Sequence, residues 1–271
     1  MPVDANPEVT SGPDEASRPN QRTDALPVNE CFYSIQGEGK LAGVPSVFVR
    51  TSGCNLRCWF CDSYHTSWEP THAWLSVDEI LEAVRAHEEA DHVVVTGGEP
   101  MIHDEIEPLI EELAAEGYHV TVETNGTIHR DLPIDLASIS PKLASSTPTE
   151  ERPPAGGDRD SEAELERWTE RHEVNRIDLD TLAALVDDYD SQLKFVVTGP
   201  DDLPEITDLV ERVRETATTT IPDDDVLLMP EGVTRDQLDE RRHEVAELAM
   251  QYGFRYTPRL HVDLWNDEAG R

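Results

Sequence analysis

From Leu26 onward, short apolar runs alternate along the chain with amphipathic stretches. Ser46-Val-Phe-Val-Arg50, His92-Val-Val-Val-Thr96 and the runs at 29–33, 118–123, 136–140, 192–197 and 225–229 are short and apolar, and predict strands. Ile80, Leu81 and Val84 share one helical face, and Ser76 with Glu79 forms a capping box at its start. Further helices are predicted over 103–116, stopped by Gly117, and over 203–216 and 234–251. A longer one over 161–189 has an interruption near 174–177. Strands alternating with helices predict βαβ units and a mainly parallel α/β sheet. Roughly six units are legible, fewer than the eight of a closed barrel, so a partial (β/α)6-type barrel is expected. In such folds ligands bind at the carboxyl ends of the strands.

The flanks read differently. Residues 1–25 are rich in Pro, Asp, Ser, Asn and Thr and predict a disordered acidic tail, leaving 26–271 as one domain. The stretch 145–180 is acidic and fits no motif, and is expected to be an insertion: a solvated helix or a dimer edge. The apolar tail 254–265 is expected to fold back on the body.

Charge narrows the class. Among 271 residues, 57 are acidic and 22 basic, a formal net charge of −35. Acids spread over nearly every segment suit a cytoplasmic protein working in concentrated salt better than a clustered patch for a basic partner. No basic stripe exists to contact phosphates, so nucleic acid is not an expected partner. No apolar run has the length of a membrane span and no signal peptide opens the sequence. Cys31, in a predicted strand, reads as a small core residue.

Candidate chemistry sits at the predicted strand ends. Cys54, Cys58 and Cys61 stand in the spacing C-x₃-C-x₂-C within a polar loop. Three thiolates on one short loop suit three irons of a [4Fe–4S] cluster and leave the fourth open. Structural zinc wants four ligands, and disulfide pairing leaves one cysteine over. Strand 92–96 ends in Thr96-Gly97-Gly98-Glu99-Pro100, where glycines allow close backbone approach and a carboxylate can accept from an ammonium group. Strand 118–123 ends in Glu123-Thr124-Asn125-Gly126-Thr127, and strand 136–140 in Ser140-Pro141-Lys142. Lys194 opens its strand and reads as a surface residue.

The cysteine loop, with Phe60 before its last cysteine, resembles that of the radical S-adenosylmethionine (SAM) enzymes. Ser34-Ile35-Gln36-Gly37-Glu38-Gly39, Phe48-Val49-Arg50 and Cys61-Asp62-Ser63 narrow the resemblance to the 7-carboxy-7-deazaguanine synthases, over about residues 28–265. That family implies a reduced radical SAM barrel and a homodimer. It also implies a lyase reaction, in which a 5′-deoxyadenosyl radical drives ring contraction of 6-carboxy-5,6,7,8-tetrahydropterin to 7-carboxy-7-deazaguanine with loss of ammonia. The resemblance assigns Cys54, Cys58 and Cys61 to the cluster. To SAM it assigns Phe60, Cys61, Asp62, Gly97, Gly98, Glu99, Glu123, Asn125, Ser140, Pro141 and Lys142. To the pterin it assigns Ile35, Gln36, Gly37, Arg50, Thr96 and His261. Ser63, where the family usually has Thr, would hold Mg²⁺. A ferredoxin or flavodoxin would supply electrons, and the product would enter archaeosine or queuosine synthesis. Two rivals remain at this point: a radical SAM activase of a glycyl-radical enzyme, and a non-catalytic zinc-binding module.

Overall fold

The computed structural model describes residues 25–154, 162–266, 268 and 270. The expected disordered tail, apart from Ala25, and residues 155–161 of the expected insertion lie outside them. The described residues form a nine-stranded sheet in the order β3-β1-β2-β4-β5-β6-β7-β8-β9. Strand β1 (Ala25–Ile35) runs antiparallel to β2 (Pro45–Thr51) on one side and to β3 (Ala73–Ser76) on the other. From β2 onward the sheet is parallel: β4 (His92–Gly97), β5 (His119–Thr124), β6 (Leu136–Ile139), β7 (Ser191–Val197), β8 (Val226–Pro230) and β9 (Arg255–Tyr256). With β3 and β9 at its edges the sheet is open, as the short count of units predicts.

Every predicted helix forms, with two short ones in addition. The helices are α1 (Tyr64–Ser67), α2 (Val77–Arg85), α3 (Ile106–Ala115), α4 (Glu162–Asn175), α5 (Leu179–Asp188), α6 (Leu203–Thr216), α7 (Arg235–Tyr252) and α8 (Leu260–Trp265). Ser76 and Glu79 make the predicted capping box on α2, and Thr234 with Gln237 makes one on α7. The predicted long helix is two: α5 starts afresh where the Asp178 carboxylate accepts from Thr181 N at 3.0 Å. Beyond the β1–β2 hairpin, alternation of strand and helix fails once, since residues 125–135 join β5 to β6 without a helix.

Strand periodicity decides which face carries the site. Val47 and Val49, Val93 and Val95, and Val120 and Val122 pack outward against Ile80 and Val84 of α2 and Leu109 and Leu113 of α3. Ala137, Ile139, Leu193, Phe195 and Val197 pack with Leu185 of α5, Ile206 of α6 and Val245 of α7. The alternate residues face inward and are mostly polar, with Phe48 and Val94 among the exceptions. Deep in the sheet, Ser46 Oγ lies 2.6 Å from His92 Nδ1, and His92 Nε2 lies 2.7 Å from Thr121 Oγ1. Gln192 Nε2 donates to Ser138 Oγ at 2.7 Å. A buried polar face is tolerated because its members satisfy one another. Higher up the same face, towards the carboxyl ends of the strands, lie Arg50, Thr96, Glu123, Ser140 and Lys194.

Candidate active site

The loop after β2 carries the three cysteines into one cavity. Backbone bonds fix it from below: Gly98 N donates to Thr51 O (3.2 Å), Glu99 N to Gly53 O (2.9 Å) and Gly53 N to Thr66 O (2.7 Å). A Cβ on Gly97 would lie 2.1 Å from Thr51 O, and one on Gly98 would lie 2.1 Å from Gly53 O. These glycines are therefore required for contact with the cysteine loop, not merely for room at a ligand. Leu56 N donates to Cys54 Sγ (3.4 Å) and Ser67 Oγ to Cys61 Sγ (3.1 Å). Burial pushes the Cys54 and Cys58 thiols up to about 12 and raises Cys61 too. Such thiols ionise only against positive charge, which bound iron supplies. Among the described residues no three Cys, His, Asp or Glu side chains converge on a point suited to one metal ion. Cys54, Cys58 and Cys61 all line the one cavity.

Opposite the cysteines stands a charge network. Lys194 Nζ lies 2.5 Å from Glu38 Oε2 and 3.6 Å from Glu123 Oε1. Arg259 Nε donates to Glu38 Oε1 (2.9 Å) and Nη1 to Gly232 O (2.6 Å), while Nη2 donates to Asp62. Burial opposes charge on Glu38, but Lys194 and Arg259 outweigh it and hold the carboxyl well below the usual carboxylate range. Asp62 is held low in the same way, burial being outweighed chiefly by Arg259. Glu123 also accepts from Gln36 Nε2 (3.2 Å) and Thr96 Oγ1 (2.8 Å). At the rim, Arg50 Nη1 donates to Ser63 Oγ (2.6 Å), whose hydroxyl points on to Asp62 Oδ1 (3.3 Å). Arg50 Nε lies 3.4 Å from Glu30 Oε2 and makes no hydrogen bond there. The guanidinium rests 5.5 Å from the centre of the Phe32 ring, which stacks on Phe48 at 5.0 Å. The tail closes the cavity, with Leu260 N donating to Gly37 O at 2.9 Å. A Cβ on Gly37 would come within 1.8 Å of His261 Nδ1, so only glycine leaves that ring its place.

Residues 48–142 match the profile of the Radical SAM superfamily. The chain is 68% identical over 243 residues to the 7-carboxy-7-deazaguanine synthase of Halobacterium salinarum, covering 90% of this chain and 91% of that one. This chain belongs to the 7-carboxy-7-deazaguanine synthase family. The synthase of Rhodopirellula baltica is 39% identical over 247 residues, covering 91% and 89%. The crystal structure of QueE from Escherichia coli superposes with a TM-score of 0.56 at 25% identity, covering 88% of this chain and 95% of that one. The enzyme is thus a radical SAM lyase, and its family brings a [4Fe–4S] cluster and SAM as cofactors. No helix among the described residues is long and apolar enough to cross a membrane.

Nearly every residue that the resemblance assigns to a 7-carboxy-7-deazaguanine synthase site lines the single cavity, from Ile35, Gln36 and Gly37 through Phe60 and Asp62 to Ser140, Lys142 and His261. Two do not. Glu99 is fully buried behind the cavity wall, where its carboxylate accepts from Asn125 N (2.6 Å), Thr124 Oγ1 (2.9 Å) and Met101 N (3.1 Å). It ties the Gly97-Gly98 turn to the end of β5. Pro141 is buried beneath its turn, while Lys142 Nζ turns back to Ser140 O and Oγ at 2.8 and 2.6 Å. Glu123, expected against SAM, is bonded instead to Gln36 and Thr96 of the expected pterin set.

Three lining groups were not foreseen. Lys194 is not at a strand start but in the middle of β7, on the inward face with Val196. A lone lysine inside Leu193-Lys-Phe-Val-Val197 was the available signal, because a charge in an apolar strand must find a partner. Arg259 sits two residues before His261, and Glu38 lies inside the recognised glycine motif; both are explained only by the long-range network they share. The acidic stretch 145–180 also differs from expectation. The outward residues of α4, among them Glu166 and Glu170, are exposed, but its inner side packs behind the cysteine loop, with His172 fully buried.

Proposed function

We infer that this enzyme converts 6-carboxy-5,6,7,8-tetrahydropterin to 7-carboxy-7-deazaguanine with loss of ammonia, in deazapurine synthesis leading to archaeosine or queuosine. The observation that supports this most strongly is one cavity joining Cys54, Cys58 and Cys61 to Arg50, Ser63 and the Lys194–Glu38–Arg259 network. Cys54, Cys58 and Cys61 would hold a cluster, which would supply the electron for reductive cleavage of SAM.

The chain's own residues position and charge-match the substrate. Arg50 has a buried N–H without a hydrogen bond and a planar fork, which suits a carboxylate. Glu123 and Gln36, one an acceptor and one an amide, suit the donor and acceptor edge of a pterin. Phe32 and Phe48 give a flat apolar wall beside it. The Ser63 oxygen keeps a lone pair beyond the Arg50 bond, and Mg²⁺ takes a single protein hydroxyl readily when substrate oxygens and water complete its shell. His261 is kept neutral by burial, against the pull of Glu38, and presents a hydrogen-bonding edge without a charge. The partner reductant is a ferredoxin or flavodoxin, and the working form a homodimer.

The test is an anaerobic assay of reconstituted protein with the tetrahydropterin, SAM and dithionite, with and without magnesium. Product is expected, with a lower rate without magnesium and little magnesium response in Ser63→Ala. Cluster-loaded protein that forms no 7-carboxy-7-deazaguanine overturns the reading.

A further inference from the structure

The stretch that fitted no motif makes the most specific contact with the cysteine loop. His172, on the inner side of α4, is 0% exposed. Its Nδ1 accepts the backbone N–H of Arg57 at 3.1 Å, the residue just before Cys58. An amide can only donate, so the ring proton sits on Nε2, and Nε2 donates to Ser146 Oγ at 2.8 Å. The hydroxyl proton of Ser146 is thereby directed away from the ring. It reaches Leu143 O at 2.6 Å.

Further bonds hold the same three layers together. Trp59 N donates to Ser146 O (3.1 Å) and Trp59 Nε1 to Ser145 O (2.8 Å). Behind them, Thr169 Oγ1 of α4 donates to Pro148 O at 2.7 Å. The Arg57 guanidinium lies 4.1 Å from the centre of the Trp168 ring. The short 3₁₀ turn at Ala144–Ser146 is thus clamped between the cysteine loop and α4. Of all these groups, His172 alone bonds the loop backbone and the turn hydroxyl at once.

We propose that His172 is a positioning residue for the cluster: it fixes the Arg57 peptide, next to Cys58, and ties it to the Ser146 turn. This rests on the assignment of Cys54, Cys58 and Cys61 as cluster ligands. Groups that orient a metal's ligands change retention of the metal, and hydrogen bonds to ligand sulfur change the potential. The acidic stretch is therefore part of the cofactor site through its inner side, whatever its outer side does.

The experiment compares wild type, His172→Ala, His172→Asn and Ser146→Ala after anaerobic reconstitution. It measures iron and sulfide per chain, the rate of iron loss to a chelator, and the midpoint potential by EPR-monitored titration. His172→Ala is expected to lose iron about tenfold faster or more. His172→Asn, whose amide oxygen can accept the Arg57 N–H, is expected to recover most of that loss. Ser146→Ala keeps the backbone bonds but removes the acceptor of His172 Nε2, and is expected to lose iron faster than wild type with an unchanged circular dichroism spectrum. Wild-type iron release and potential in His172→Ala overturn the proposal, as does an asparagine variant no better than alanine. Should His172→Ala not fold, Ser146→Ala decides, and wild-type iron release there overturns it. Wild-type protein that takes up no iron contradicts the cluster assignment itself and is read separately.

Discussion

Lys194 shows what a single buried charge does in this cavity. It is 4% exposed, flanked by Leu193 and Phe195, and neutralised by Glu38 and Glu123. Burial lowers its proton affinity, but the two carboxylates more than restore it, and its pKa is raised above the usual lysine value. Removing one partner of a buried pair leaves the other charge desolvated, which costs on the order of 3 kcal/mol. Lys194→Met is expected to lose about that much stability in denaturant unfolding and to lower kcat/KM by roughly 100-fold, since Glu38 and Glu123 lose their anchor. Adding Glu38→Gln should return part of the stability, because one stranded carboxylate is gone. A single variant as stable and active as wild type would show that the network is incidental. The sequence hides this network for a simple reason: Glu38, Lys194 and Arg259 are distant along the chain, and nothing local dictates that they meet.

At the scale of elements, the inner polar layer of the sheet carries a pH signature. His92 on β4 bridges Ser46 of β2 and Thr121 of β5. Burial, aided by His119, lowers its pKa from the ordinary 6.5 to about 4. Below pH 6.5 the unfolded chain takes up a proton that the folded chain refuses, so stability falls as pH drops from about 6.5 to about 4. The loss is on the order of 3 kcal/mol for this group. Unfolding midpoints measured across that range in wild type and His92→Asn check it: the variant should show a shallower fall. Equal slopes would place the pH sensitivity elsewhere. Elements with local signals were legible in the sequence. Ser76 and Glu79, and the valine alternation of β2, β4 and β5, announce α2 and three parallel strands. What was not legible depends on tertiary context. Strand β3 is only four residues long and exists by pairing with β1. The break between α4 and α5 falls at the interruption predicted near 174–177, but the packing of α4 is explained only by the loop it covers. In the site, the cysteines, Arg50 and the glycine turns are declared by spacing, whereas Glu99 carries a motif position yet spends its carboxylate on the backbone.

For the whole molecule, charge is the dominant quantity. The chain carries −35 overall, yet Arg50, Lys142, Lys194 and Arg259 all line one cavity. The exterior repels itself, while the cavity sets these four cations against Glu38, Asp62, Glu123 and Glu231. Salt screens exposed charges over about 10 Å at 0.1 M and about 3 Å at 1 M, but reaches buried pairs far less. Thermal stability is therefore expected to rise steeply between about 0.1 M and molar KCl, and activity with it. Unchanged stability and full activity after dialysis into dilute buffer would contradict this. The central claim is that one cavity brings the cluster, SAM and the carboxylated pterin together for ring contraction. It is tested most directly by counting 7-carboxy-7-deazaguanine formed per SAM consumed by anaerobically reconstituted enzyme in high salt. The family resemblance implies that SAM is regenerated after each turnover, so the account predicts many products per SAM. Cleavage of SAM by the loaded enzyme with the tetrahydropterin present and no deazaguanine formed would contradict it.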